Sequence, residues 1–177
     1  AHTLVGLWGA LAAALEDLVI GMLMNEPELL RSEFFSKVRV PLCEFDSLER
    51  EERMRLLVEE VERGHGLGKK GGVDVSETLL ASVNLSGSID AEIRKIILEI
   101  SQVRNVIVHR GAVADRRLVQ NCPWMSLKVG DRITVTHEAL ERYDKALAKY
   151  LITIIYRARA TYGIDATPAP PEPWAED

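Results

Sequence analysis

The chain has 177 residues, of which 47% are hydrophobic and 28% charged, and a formal net charge of −5. That balance is the one expected of a soluble globular protein rather than of a disordered or membrane one, and the length suits one folded unit rather than two. The acidic balance also opposes general binding to a polyanion, so any nucleic-acid site has to be a local basic patch.

Leu4, Leu7, Trp8, Leu11, Leu15, Leu18, Val19 and Met22 recur at three- and four-residue spacing, which predicts a long first helix with a broad buried stripe. Pro27 ends or re-aims it. Glu16 and Asp17 interrupt the apolar run well short of the roughly 20 residues that span a bilayer, so no membrane partner is expected. The segment lacks the positive start of a signal peptide, and a chain beginning with Ala reads as one trimmed or cut from a longer polypeptide. A second helix is expected over Glu28 to Val38, before Pro41. A third is expected from Ser47 to Arg63, with Leu48, Met54, Leu57, Val58 and Val61 as its apolar stripe. The stretch 64–72, GHGLGKKGG, predicts a flexible loop. Its likeness to a phosphate-binding loop stops at the lysine, which no Ser or Thr follows, and no strand precedes it.

Asp74 to Leu85 reads as a short helix, and Ser88 as the cap of the next one, with Glu92 near the capping-box position. Past Gly111 the pattern is irregular until Leu127, Val129, Ile133 and Val135 alternate about Gly130 and Asp131, which predicts a small β-hairpin. A final helix runs from about Thr136 to Tyr162, its core face made by Leu140, Tyr143, Ala146, Leu147, Tyr150, Leu151 and Ile154. The expected fold is all-α: an up-and-down helical bundle of about five to six helices over 1–163, with the hairpin inserted before the last helix. Residues 164–177 are proline-rich and acidic and read as a tail or linker, with Trp174 a candidate docking handle.

Cys43 and Cys122 are the only cysteines and show no CxxC or Cys/His ligand spacing. Neither a disulfide, a metal site nor a cofactor is expected, and a reducing, cytoplasmic compartment fits.

The most informative residues close the helix before Gly111: Arg104-Asn105-Val106-Ile107-Val108-His109. On a helical wheel Ile89, Ile93, Ile96, Ile97, Ile100, Val103 and Ile107 form one stripe, and Arg104 falls inside it. A guanidinium there needs a carboxylate, a route to the edge, or a groove that a ligand or another chain meets. An ion pair with Glu16 or Asp17 is the structural alternative. Asn105 and His109 are four apart, so the amide can orient the imidazole, and the helix dipole at this end favours the imidazolium form. Arg104 and His109 are five apart, about 140° around the helix, so one straight helix does not aim both at the same atom. The long arginine side chain, or a symmetric dimer with the two motifs face to face, relieves that difficulty.

An arginine and a histidine so held can neutralise a phosphodiester and move its protons, which is the chemistry of RNA cleavage without a metal. Between Ser101 and Gln120 the cations Arg104, Arg110, Arg116 and Arg117 stand against one acid, Asp115, making Arg110, Arg116 and Arg117 candidate RNA contacts. For Arg116 and Arg117 the alternative is solvation on an exposed turn. His2, His65 and His137 read as solvent-facing, and Trp8 and Trp124 as packing residues.

Arg104-Asn105 followed by His109, then Gly111, Val113 and a downstream Lys128-Val129-Gly130-Asp131 before a long terminal helix, resemble HEPN (higher eukaryotes and prokaryotes nucleotide-binding) domains. Their signature is an arginine, often with a polar neighbour, and a histidine after four to six residues. The specific part of the likeness spans roughly Glu92 to Leu151. Arg110 stands where relatives often carry a small or polar residue, and Arg117-Leu118 where an aromatic-leucine pair often follows. The resemblance implies a bundle that dimerises through the motif helices. In active members it implies a metal-independent endoribonuclease of toxin, phage-defence or RNA-processing systems, with Arg104 and His109 catalytic and Asn105 supporting. The expected partners are then a second copy, an RNA substrate, and an antitoxin or other regulatory protein. Two other readings stand beside it. One is a non-catalytic dimerisation or protein-interaction module of a larger defence or toxin–antitoxin system, with Arg104 bridging subunits. The other is a motif that serves only internal packing.

Overall fold

The computed structural model describes residues 2–66 and 71–163. The expectations placed on residues 164–177, Trp174 included, and on the middle of the glycine loop, 67–70, lie outside the described residues. Apolar spacing sets the first element: α1 (His2–Asn25) buries Leu4, Leu11, Leu15, Val19, Ile20, Met22 and Leu23. The helix runs through Glu16 and Asp17 without a break because Arg55 meets both, at 3.0 Å and 3.6 Å. By length and composition α1 is apolar enough to cross a membrane, with a mean hydropathy of 1.7 in its most apolar window. Here its buried stripe packs against the helices that follow.

Pro27 re-aims the chain into a 3-10 turn, Pro27–Arg31, and α2 (Glu33–Ser36) follows after Ser32 adopts an extended conformation. The single helix expected over 28–38 is therefore two short pieces. Past Pro41 comes α3 (Leu42–Ser47), which the apolar pattern does not announce. α4 (Arg50–Gly64) starts later than expected, since Glu49 rather than Ser47 is the cap and trades hydrogen bonds reciprocally with Glu52. α5 spans Val73–Ala81. α6 (Ala91–Arg110) is capped by Asp90, not Ser88: Asp90 Oδ1 accepts the N–H groups of Glu92 at 2.9 Å and Ile93 at 3.1 Å. A carboxylate there also meets the positive end of the helix dipole, which a hydroxyl does not. α7 (Arg116–Asn121), a 3-10 turn (Pro123–Met125) and α8 (His137–Tyr162) complete the described chain, α8 starting where Thr136 caps it through Ala139 N–H.

The described residues are all-α, with eight α-helices and no strand. The hairpin over Leu127–Val135 is not formed. Gly130 and Asp131 do turn, with Asp131 Oδ2 accepting Lys128 N–H at 2.8 Å. The flanks, however, bond to the segment after α6 instead of to each other. Ala114 N–H donates to Asp131 O, Gly130 N–H to Ala114 O, and Ile133 N–H to Ala112 O, all within 2.8–2.9 Å, leaving one isolated bridge between Val113 and Arg132. Two three-residue arms make a weak hairpin in isolation, and the unpaired backbone after Gly111 offers both arms better partners.

α6 is the centre of the bundle, packed against α1, α5, α7 and α8. Two carboxylates, partly buried Glu77 and buried Glu99, tie the layers together. Glu77 of α5 accepts Tyr150 Oη at 2.8 Å, Arg157 Nη1 at 2.9 Å and Gly87 N–H at 2.8 Å, while Arg157 Nη2 also reaches Ser88 O at 2.8 Å. A Cβ at Gly87 would lie 3.1–3.3 Å from that guanidinium, so the close approach accounts for the glycine. Glu99 of α6, only 2% exposed, accepts Trp124 Nε1 and Tyr143 Oη at 2.7 Å each and pairs with Arg142 of α8.

Candidate functional site

The middle of α6 is enclosed and its two ends reach solvent; at the C-terminal end Arg104 and Asn105 are half-buried, and Val108, His109 and Arg110 are exposed. Gly111 then turns left-handed, at φ 60° and ψ 35°, and Ala112 N–H closes back on Val106 O at 3.0 Å. A glycine adopts that conformation without the Cβ clash other residues suffer. The reversal lays α7 beside the end of α6, its start fixed by Asp115 Oδ1, which accepts Leu118 N–H at 2.8 Å.

Between the two helices lies an open groove of about 310 Å³ lined by Gln102, Asn105, Val106, His109, Arg110, Asp115 and Arg117. Of the residues expected at the site, the structure thus gathers Asn105, His109, Arg110 and Arg117 on one concave surface. Arg104 and Arg116 do not line it. Arg116 and Arg117 are both exposed in the first turn of α7, Arg117 beside the groove and Arg116 away from it.

Arg104 lies on the other flank of Asn105, and its Nη1 donates to Asn105 Oδ1 at 3.2 Å. The amide therefore joins the guanidinium to the wall of the groove. Among the described residues Arg104 has no carboxylate partner, and its Nε is closed off from solvent with no acceptor. The alternative ion pair with Glu16 or Asp17 is not formed, because Arg55 of α4 meets both acids and Glu51 as well. A half-buried cation left without an anion is an unfavourable arrangement for a purely structural residue. It suits a position at which an anionic ligand arrives.

Two polar groove residues are not among the site residues expected from the sequence. Gln102 is 2% exposed and forms part of the lining, its Oε1 accepting Asn121 Nδ2 at 3.2 Å. Asp115 contributes the one acid, already engaged as the α7 cap. The signal for Gln102 is its place three residues before Asn105, which puts the two amides on neighbouring faces of α6.

The remaining histidines differ from one another. His2 is exposed, and His137 is exposed and 3.2 Å from Glu141. His65 stacks on Phe34, with ring centroids 4.3 Å apart and planes 11° from parallel. Trp8 packs partly buried against the core, whereas Trp124 is 37% exposed with its Nε1 anchored on Glu99 and Lys95 above its ring at 5.2 Å. The cavity beside Trp124, about 290 Å³, is lined by Glu99, Arg142 and Tyr143 among others. Its charges already satisfy each other. Burial, then the hydrogen bond to Glu99, pushes the Tyr143 hydroxyl up, and burial aided by Glu99 pushes the Cys122 thiol up to about 12. Among the described residues no three His, Cys, Asp or Glu side chains cluster as a metal site would require.

No family model matches the sequence, and neither a curated protein nor a solved structure matches it.

Proposed function

We propose that the chain is a metal-independent endoribonuclease that works as a homodimer, with Arg104 and His109 as catalytic residues and Asn105 positioning both. The observation that carries this reading is the groove joining exposed His109 to Asn105, Arg110 and Arg117, with an anion-less Arg104 bonded to the same Asn105.

The chemistry follows from what these groups can hold and move. The RNA 2′-hydroxyl attacks the adjacent phosphorus while a neutral imidazole of His109 takes its proton. The bond from phosphorus to the 5′-oxygen breaks as the protonated His109 of the second copy donates to that oxygen. The products are a 2′,3′-cyclic phosphate and a 5′-hydroxyl. Guanidinium groups of Arg104, one from each copy, meet the charge that grows on the phosphoryl oxygens. Arg110 and Arg117 hold flanking phosphates in the groove. DNA lacks the nucleophile and is not cut. Pairing α6 with its copy answers the divergence of Arg104 and His109 on one helix. Val108, 45% exposed in the turn between them, provides an apolar contact for such a pairing.

The test is incubation of the purified chain with single-stranded RNA in excess chelator. Cleavage yielding cyclic phosphate ends, lost in His109→Ala with the fold retained, is the expected result. Intact RNA, or cleavage only when a divalent metal is added, refutes it. The second reading, a non-catalytic dimerisation or protein-interaction module of a toxin–antitoxin or defence system, draws on the same exposed Val108. It requires that Arg104→Ala weaken self-association while no variant of His109 changes any RNA.

A further inference from the structure

A second concave surface of about 380 Å³ lies at the far end of α4, lined chiefly by Phe34, Val38, Arg39, Val61 and His65. Its floor is apolar, from buried Val61 and half-buried Val38. Its wall is aromatic and rigid: His65 Nδ1 donates to Val61 O at 3.0 Å, which pins the imidazole flat on Phe34. Its rim is cationic. Arg63 is committed to Glu60, and Lys37 reaches Glu33 only at 4.0 Å with both side chains largely in solvent. Exposed Arg39 has no ion pair among the described residues. An apolar floor, a stacked ring and an unneutralised guanidinium together suit one unit of a single-stranded nucleic acid, the base against the ring and the phosphate on the cation.

Its position points the same way. His65 and Gly66 leave this cleft, and Gly71 re-enters the fold against α6, where an added Cβ would lie 3.2 Å from Gln102 Nε2 in the lining of the groove. Five residue steps separate Gly66 from Gly71, so the chain between them spans at most about 18 Å. Seven further residues of α6, about 10 Å, separate Gln102 from His109, so the cleft and the catalytic end of the groove lie within about 28 Å, a stretch of roughly eight nucleotides at about 3.4 Å per stacked nucleotide and short enough for one strand to occupy both.

We propose that this cleft is a second contact for the RNA strand, holding a nucleotide several positions away from the scissile linkage through His65 and Arg39. The proposal rests on the reading of the chain as RNA-acting, and the test separates the two. A fluorescein-labelled 12-nucleotide 2′-O-methyl RNA, which cannot be cleaved, is titrated with the full chain, and so is a trinucleotide of the same chemistry. Arg39→Glu and His65→Ala are each expected to weaken the 12-mer about tenfold and to change the trinucleotide, which cannot span both surfaces, much less. Thermal melting of each variant verifies the fold. Unchanged 12-mer affinity in both folded variants, or no 12-mer binding by the wild-type chain, overturns the proposal. If Arg39→Glu loses the 12-mer but the wild-type chain leaves unmodified RNA intact, the cleft stands and the ribonuclease reading falls. If RNA is cleaved while both variants bind the 12-mer like the wild type, the cleft alone falls.

Discussion

Replacing Glu99 by Gln keeps the shape of the side chain and removes its charge, which isolates what the carboxylate contributes at the centre of the bundle. Oε2 receives Trp124 Nε1 at 2.7 Å, and Oε1 receives Tyr143 Oη at 2.7 Å together with Arg142. An amide oxygen can still serve the indole. The amide nitrogen then faces Tyr143, whose hydroxyl can turn and accept, and Arg142, which can only donate. One charge-assisted contact is therefore lost inside a site 2% exposed, for which about 2–3 kcal/mol is expected. In a chain of this size that lowers the melting midpoint by about 4–12 °C. Arg142→Met alone leaves the carboxylate buried with two neutral donors. Its cost belongs at the lower end of the 3–5 kcal/mol for breaking a buried pair, roughly 3, because the arginine side chain is 43% exposed. Made on top of Glu99→Gln, the same change has little left to break and is expected to cost under about 1 kcal/mol, so the double-mutant cycle should return a coupling of at least about 2 kcal/mol. The assay is urea and thermal unfolding followed by near-ultraviolet circular dichroism. A loss below about 1 kcal/mol in Glu99→Gln, or a coupling near zero, refutes the idea that Glu99 organises this region.

Arg104→Met is expected to raise the melting midpoint by about 2–4 °C, because it removes a closed-off Nε without an acceptor, and to abolish RNA cleavage; a destabilised variant contradicts the view of Arg104 as a residue held at a cost. Native thiol titration with a disulfide reagent should count one fast cysteine, exposed Cys43, and release Cys122 only on unfolding, since Cys122 is buried with its thiol pushed up to about 12. Two fast thiols would contradict that packing. Burial, then Glu16 and Glu59, raise the Glu62 carboxyl above its ordinary range. Its charged form is thus disfavoured in the folded chain, and stability falls as pH rises through that raised value. Glu62→Gln should therefore melt about a degree or two higher at neutral pH and lose the advantage at about pH 3, where the wild-type carboxyl is protonated in both states. A gain that persists in acid would place its origin elsewhere.

The long amphipathic helices are legible in the sequence because their apolar residues repeat at the helical period over many turns: α1, α6 and α8 lie where Leu4–Met22, Ile93–Ile107 and Leu140–Ile154 put them. The short helices α3 and α7 hold one or two turns each, too few for a period to register. The hairpin fails for a different reason. Its arms satisfy their backbone through Ala112 and Ala114, partners that lie some twenty residues away in the chain and that no local pattern reveals. Start signals are readable only to within two or three residues, since Ser88 and Asp90, or Ser47 and Glu49, compete for the same role and the carboxylate wins both times. At the site, the spacing of Asn105 and His109 is readable, but the share of each arginine is not. By sequence Arg104 and Arg55 are equally able to neutralise Glu16 and Asp17, and only the packing of α4 on α1 decides between them. Glu99 does leave a trace in the sequence, as a lone acid within Ile96, Ile97 and Ile100.

Arg104 and His109 leave α6 on opposite flanks of Asn105, with Val108 between them. Under the proposed pairing a solitary molecule is an unarmed one, and turnover per molecule climbs with abundance instead of staying constant. Expression level then sets activity: well below the dissociation constant the active pair grows as the square of abundance, so scarce protein does little harm to its host before any inhibitor is invoked.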